Sequence, residues 1–173
     1  MKVKFREVPT YLKVLIIIDI LLLIFIWGHS CMPGELSTHE SGLFKTFIAA
    51  PVIRFFTGNT DVSDFFIRKS GHVIEYFVLG IFICITVNLW ANYLIKNKVI
   101  KKFKCKFVGM RFILSVCICI LVAAIDETIQ AFSIDRGAQL SDVILDSTSS
   151  LVAISIVSII IFLFNLNNRA IKK

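Results

Sequence analysis

Four runs of apolar residues constrain this chain more than any other feature of it. They fall at residues 10–30, 70–92, 108–132 and 141–164. A helix rises about 1.5 Å per residue, so about 20 residues cross the roughly 30 Å hydrocarbon layer of a bilayer. No water is available there to satisfy backbone N–H and C=O groups, so continuous apolar runs of this length must be helical. The expected fold is all-α, a single membrane domain over residues 1–173 with four transmembrane helices. Composition agrees, because 57% of the 173 residues are hydrophobic and the mean hydropathy is +0.82, too apolar for a soluble domain.

The formal charge of +7 is set by topology. Positive side chains gather in the N-terminal arm (Lys2, Lys4, Arg6, Lys13), between the second and third runs, and in the basic tail NLNNRAIKK. The middle group counts seven positives and no acid, from Lys96 to Arg111. Nucleic-acid binders display such residues on a folded surface, whereas these lie between apolar spans, so no nucleic-acid partner is expected. By the positive-inside rule both termini face the cytoplasm of a bacterial plasma membrane, with membrane lipids as the surrounding partner. The first outer connection carries Lys45, Arg54, Arg68 and Lys69, balanced by Glu35, Glu40, Asp61 and Asp64.

That connection is not uniformly polar. Residues 43–56, LFKTFIAAPVIRFF, read as a short amphipathic segment lying in the interface or re-entering it, too short to cross and interrupted by Pro51. The first run could mimic a signal peptide, but GHSC after Trp27 is a poor cleavage box, so a retained helix is expected. Asp19 interrupts that helix and is read as a neutral, hydrogen-bonded interior residue. The five cysteines are odd in number, form no CxxC pair and read as small hydrophobes.

The chemistry concentrates in residues 126–146, DETIQAFSIDRGAQLSDVILD, at the inner ends of the third and fourth runs. A charged side chain in hydrocarbon costs about 2.5–3.5 kcal/mol even on lenient insertion scales, so such residues are functional candidates that face the protein interior or water. Asp126 and Gln130 are four apart, as are Asp142 and Asp146, so each pair shares a helix face. In the second run, KSGHVIEYFVLG places His72, Glu75, Tyr76, Leu79 and Gly80 on one stripe. The alternation of spans brings His72 and Glu75, Asp126, Glu127 and Gln130, and Asp142 and Asp146 into one leaflet. A single polar pocket open to the outside is the economical explanation. On the fourth run, Asp142, Asp146, Ser149, Ser150 and Ala153 form a small, polar stripe that permits close helix approach.

Four chemistries compete for such a pocket. Carboxylates and a histidine could bind a divalent metal, yet no recognised ligand spacing is present and Arg136 would oppose a cation, so neither metal nor cofactor is expected. Glu75 and Asp126 could be an acid and base pair. His72 could merely lock a carboxylate while Arg136 neutralises the cluster, a purely structural network. Alternatively Arg136 and the polar walls hold the phosphate or sugar headgroup of a lipid entering from the bilayer.

These two blocks, KSGHVIEYFVLG and DETIQAFSIDRGAQLSDVILDSTSS, resemble the signature blocks of the VanZ-like family of small bacterial membrane proteins. His72, Glu75, Tyr76, Leu79 and Gly80 match the first, and Asp126, Glu127, Gln130, Phe132, Arg136 and Asp142 match the second. The likeness is specific from about residue 69 to residue 150. Asp135 stands where the family has glycine, Asp146 where asparagine is common and Ser150 where glycine is common. The resemblance implies tolerance of teicoplanin and related lipoglycopeptides, which act on cell-wall precursors outside the membrane. The partners so implied are a lipid-linked cell-wall precursor or a lipoglycopeptide; the runner-up is an envelope enzyme acting on a lipid-linked phosphate or sugar, and a third reading is a non-catalytic assembly protein. Among the site residues, His72, Glu75, Asp126 and Glu127 are the catalytic candidates, and Tyr76, Gln130, Arg136, Asp142 and Asp146 the ligand-binding ones.

Overall fold

The computed structural model describes residues 8–32, 64–97, 108–133, 137 and 139–170. Four helices occupy them: α1 (Thr10–Ser30), α2 (Asp64–Lys96), α3 (Val108–Ala131) and α4 (Leu140–Ala170), with no strand among the described residues. Each is long and apolar enough to cross a membrane. The chain is thus a multi-pass membrane helix bundle, as the four apolar runs require. The interfacial segment expected at 43–56 lies outside the described residues, as do Arg136 and Cys105.

The helix ends follow from local chemistry. Pro9, at φ −54° and ψ 142°, leads into α1, and its carbonyl accepts a 3.1 Å hydrogen bond from Leu12 N. Proline suits such an entry because its ring fixes φ and its missing N–H deprives the helix of nothing. At the far end of α3, Phe132 N donates to Ile129 O and Ser133 N to Gln130 O, tightening the last turn. Gln139 O then accepts from Asp142 N at 2.9 Å, which opens α4 with the Asp142 carboxylate in the first turn, where the helix dipole favours it.

α4 packs on α2 and α3, which also touch one another, and α1 lies against α2 and α3. Apolar residues fill the contact, among them Ile26, Leu79, Ile83, Val122, Ala123 and Ile154. Elsewhere the helices are greasy on their outer faces: Ile17, Leu21, Ile24 and Phe25 of α1 are exposed, as lipid-facing residues should be. Because α1 is apolar all round, its sequence carries no periodic clue to which side faces the protein.

The closest approach is between α2 and α4. A Cβ added to Gly80 would lie 2.7 Å from the Ser150 carbonyl oxygen, 3.0 Å from Ser150 Cα and 3.1 Å from Ala153 Cβ. Backbone cannot step aside as a side chain can. Small residues therefore let the helices meet, and Ser149 Oγ uses the proximity to donate a 2.5 Å hydrogen bond to Val73 O.

The bundle carries polar groups away from this contact too. Asp19 is buried beside Thr86 of α2. Near the opposite end, Arg111 Nη1 donates to Asn88 Oδ1 at 3.3 Å, while Asn88 Nδ2 donates to Cys84 O at 2.9 Å. The four described cysteines are free thiols, Cys84 and Cys119 buried and Cys31 and Cys117 exposed.

Gly80→Ala should push α2 from α4 and cost about 1–3 kcal/mol, the usual range for overpacking. Gly109→Ala, with nothing within 4 Å of the added methyl, should leave stability unchanged or slightly raised. Thermal unfolding of the two variants in detergent checks this, and equal melting temperatures would show that the α2–α4 contact is not tight.

Candidate functional site

Antiparallel helices bring the C-terminal ends of α1 and α3 beside the N-terminal ends of α2 and α4. At that end, His72 of α2, Asp126 of α3 and Asp146 of α4 each present one side-chain atom, and the three atoms lie within 4.8 Å of one another. Asp126 and Asp146 are buried, while His72 is partly open. His72 Nδ1 is 3.8 Å from Asp146 Oδ2. Three helices thus converge on one point.

Around it the remaining polar groups are fixed by neighbours. Gln130 Nε2 donates to Asp126 Oδ2 at 3.0 Å, one turn along α3, and to Ser30 Oγ at 3.2 Å. Ser133 Oγ donates to the Ser30 carbonyl at 2.9 Å, so the end of α1 is tied to the end of α3. The His29 ring nitrogen Nδ1 lies 3.1 Å from Glu75 Oε1, and the His29 ring stacks on that of His72 with centroids 6.2 Å apart and planes 16° from parallel. Tyr76 is fully buried beneath, its hydroxyl neighboured by Asp126, Asp146 and Glu75. The rim is closed by two further contacts: Lys69 pairs with Asp142, and the Gln139 backbone N–H donates to the Glu127 carboxylate.

The sequence-predicted residues therefore separate by position. His72, Asp126 and Asp146 meet at the centre; Glu75, Tyr76 and Gln130 border them; Asp142 and Glu127 sit at the rim, where Lys69 ties α2 to α4 through Asp142 and the Gln139 N–H ties the start of α4 to α3 through Glu127. Arg136 lies outside the described residues. Three contributors had no signal in the sequence reading: His29 and Ser30, seen only as part of the sequence GHSC, and Lys69 as the partner of Asp142. The one available clue to His29 and Ser30 was depth, since the end of the first span falls in the same leaflet as the cluster.

Several oxygens in this group remain without a hydrogen bond among the described residues: Glu75 Oε2, Asp126 Oδ1, Asp146 Oδ1 and the Tyr76 hydroxyl. Buried polar atoms are nearly always satisfied, so four such oxygens close together stand out, and Asp19 Oδ1, Thr86 Oγ1 and Ser147 Oγ share the condition. A separate cleft of about 660 Å³ opens elsewhere, between α1, α2 and α3, lined by residues such as Ile16, Val87, Trp90, Leu94 and Leu114. Its lining is almost wholly apolar, unlike the polar end of the bundle.

A family model described as VanZ/LLP1 matches residues 15–163. The chain belongs to that family. The match runs through all four helices of this VanZ-like bundle and includes each described member of the polar cluster. No curated protein and no solved structure matches the chain.

The Ser30–Gln130 hydrogen bond is testable directly. Ser30→Ala should cost about 1 kcal/mol. A double-mutant cycle with Gln130→Ala should return a coupling of about 0.5–1.5 kcal/mol. Strict additivity would remove the bond from the account.

Proposed function

We propose that this VanZ-like protein contributes to tolerance of teicoplanin-type lipoglycopeptides, or to upkeep of the cell envelope, by binding a lipid-linked or cell-wall ligand in the polar pocket. The observation that carries the reading is the convergence of His72, Asp126 and Asp146, from three helices, at one end of an otherwise apolar bundle. Each of those residues could have been apolar at lower cost in a membrane. Family membership supports the link to envelope chemistry.

On this reading the protein lies in the bacterial plasma membrane with both termini cytoplasmic, and the pocket opens outward, on the side where lipoglycopeptides and lipid-linked precursors meet. A headgroup would reach the cluster past the Lys69–Asp142 rim, with its acyl chains in the surrounding lipid. Tyr76, Gln130, Arg136, Asp142 and Asp146 would hold it.

A second reading is that the protein is a membrane enzyme acting on a lipid-linked phosphate or sugar. The buried, unsatisfied oxygens of Glu75 and Asp126 favour it, since a general acid or base must keep one oxygen available to the substrate. Turnover that disappears in Glu75→Gln and Asp126→Asn variants still inserted in membranes would support the enzyme. Drug protection surviving both changes would point to a non-catalytic envelope role.

His72→Ala, Asp126→Ala and Arg136→Ala should each abolish teicoplanin protection in a susceptible host while membrane levels of the protein stay close to wild type. Minimum inhibitory concentrations and immunoblots of membranes read both quantities. Loss of protein level in all three would show a network that only holds the fold together. The orientation has its own check: a cysteine placed at Ala138 should react with an impermeant maleimide from outside the cell, and Cys105 only after the membrane is opened. Labelling of both from one side would refute the arrangement.

A further inference from the structure

We propose that His72, Asp126 and Asp146 form a binding site for a divalent first-row metal ion, zinc or manganese, inside the membrane end of the bundle. The site goes beyond the reading above and does not depend on which envelope ligand the protein takes.

Geometry is the first argument. A cation with ligands at about 2.0–2.2 Å sets neighbouring donor atoms roughly 3–4 Å apart. The three donor atoms lie within 4.8 Å of one another, so rotation of the side chains by a fraction of their reach would close them on an ion. One nitrogen and two oxygens, with no thiolate, make a donor set suited to zinc or manganese. Three protein ligands also leave coordination positions for water or for an oxygen of a bound anion.

The second argument is what these side chains lack. Asp126 is fully buried and Asp146 nearly so, yet Asp126 Oδ1 and Asp146 Oδ1 have no hydrogen-bond donor among the described residues. Gln130 donates to Oδ2 of Asp126 and leaves Oδ1 without a donor among the described residues, and a hydrogen bond of this kind is the support expected behind a metal-bound carboxylate. The Tyr76 hydroxyl, also fully buried, is neighboured by Asp126, Asp146 and Glu75 and has no partner at hydrogen-bonding geometry among the described residues.

Charge is the third. Two carboxylates and a neutral imidazole around a divalent ion sum to zero, which is what a low-dielectric interior favours. The nearby described cation Lys69 pairs with Asp142 at the rim, and the His29 ring is engaged with Glu75. A metal was not expected from the sequence for want of a recognised ligand spacing, and the reason is that these ligands stand on three helices at spacings of 54 and 20 residues, which no short motif joins.

The test uses the full chain in nanodiscs, stripped with a chelator and then titrated with Zn²⁺ or Mn²⁺ alone. Zinc is followed by competition with a chromophoric chelator, and manganese by loss of the free-ion EPR signal. One ion per chain should bind, and binding should raise the melting temperature. Asp126→Asn and Asp146→Asn, which keep shape and remove charge, should each weaken binding by about a hundredfold or more. Asp19→Asn, which removes a buried acid elsewhere in the bundle, should not. Absence of stoichiometric binding of either metal by folded wild-type protein would overturn the proposal, as would unchanged binding in the Asp126→Asn, Asp146→Asn double variant. If an asparagine variant fails to fold, the wild-type chelator cycle decides: a melting temperature that chelator lowers and zinc or manganese restores supports the site, and one indifferent to both refutes it.

Discussion

The close approach of α2 to α4 at Gly80 is the constraint on which the rest of this structure depends. With no room for a Cβ between Gly80 and the Ser150 backbone, the two helices are fixed in register, and the geometry two turns away follows from it. His72 stands eight residues before Gly80 and Asp146 four before Ser150, so both project from the faces that meet. A helix pair held only by large aliphatic side chains would sit farther apart and leave the ring and the carboxylate out of reach of each other. The polar site is in this sense an outcome of apolar and small-residue contact below it. Ser149, donating to the Val73 carbonyl, pins the same interface one step closer to the site.

α3 supplies the third corner by a different means. Its face toward the bundle runs from Ser115 through Cys119 and Ala123 to Asp126 and Gln130, small residues giving way to polar ones as the helix nears the membrane boundary. Water is absent through most of that depth, so Asp126 is held from within: Gln130, one turn on, donates to its Oδ2 and also to Ser30 across on α1, while Oδ1 keeps no partner among the described residues. This makes α1 more than a lipid-facing anchor. Its last turn brings His29 to Glu75 and Ser30 to Gln130, closing a ring of polar contacts that touches all four helices.

How much of this was legible in the sequence depended on whether periodicity was present to be read. The four spans were plain from length and hydropathy, and α2 and α4 announced their inner faces because polar or small residues recur at helical spacing among apolar ones: His72, Glu75, Tyr76, Leu79 and Gly80 on one, Asp142, Asp146, Ser149, Ser150 and Ala153 on the other. Asp126 and Gln130 did the same for α3. In α1 the apolar residues run all round, so no face could be chosen and the roles of His29 and Ser30 were invisible. Asp19 was legible as an interior residue but its neighbour was not: the place beside Thr86 depends on how α1 is rotated against α2, a tertiary fact that neither helix encodes alone. The Lys69–Asp142 pair needed the relative height of two helix ends, which topology gives only to within a turn.

The distribution of charge then explains why the polar cluster lies where it does along the membrane normal. Placed at mid-bilayer, Asp126 and Asp146 would be cut off from any ligand; placed in the headgroup region, they would be solvated and would select nothing. Near the helix ends they are buried from the sides by Tyr76, Leu79 and Ile26, yet only one or two turns from the rim where Lys69 meets Asp142 and the Gln139 backbone meets Glu127. Of these rim groups, Lys69 and Asp142 keep about a fifth of their side-chain surface exposed, while Glu127 is buried. The cluster is thus covered by apolar side chains while lying within one or two turns of a partly exposed ion pair, which is the placement that the proposed binding of an ion or headgroup requires.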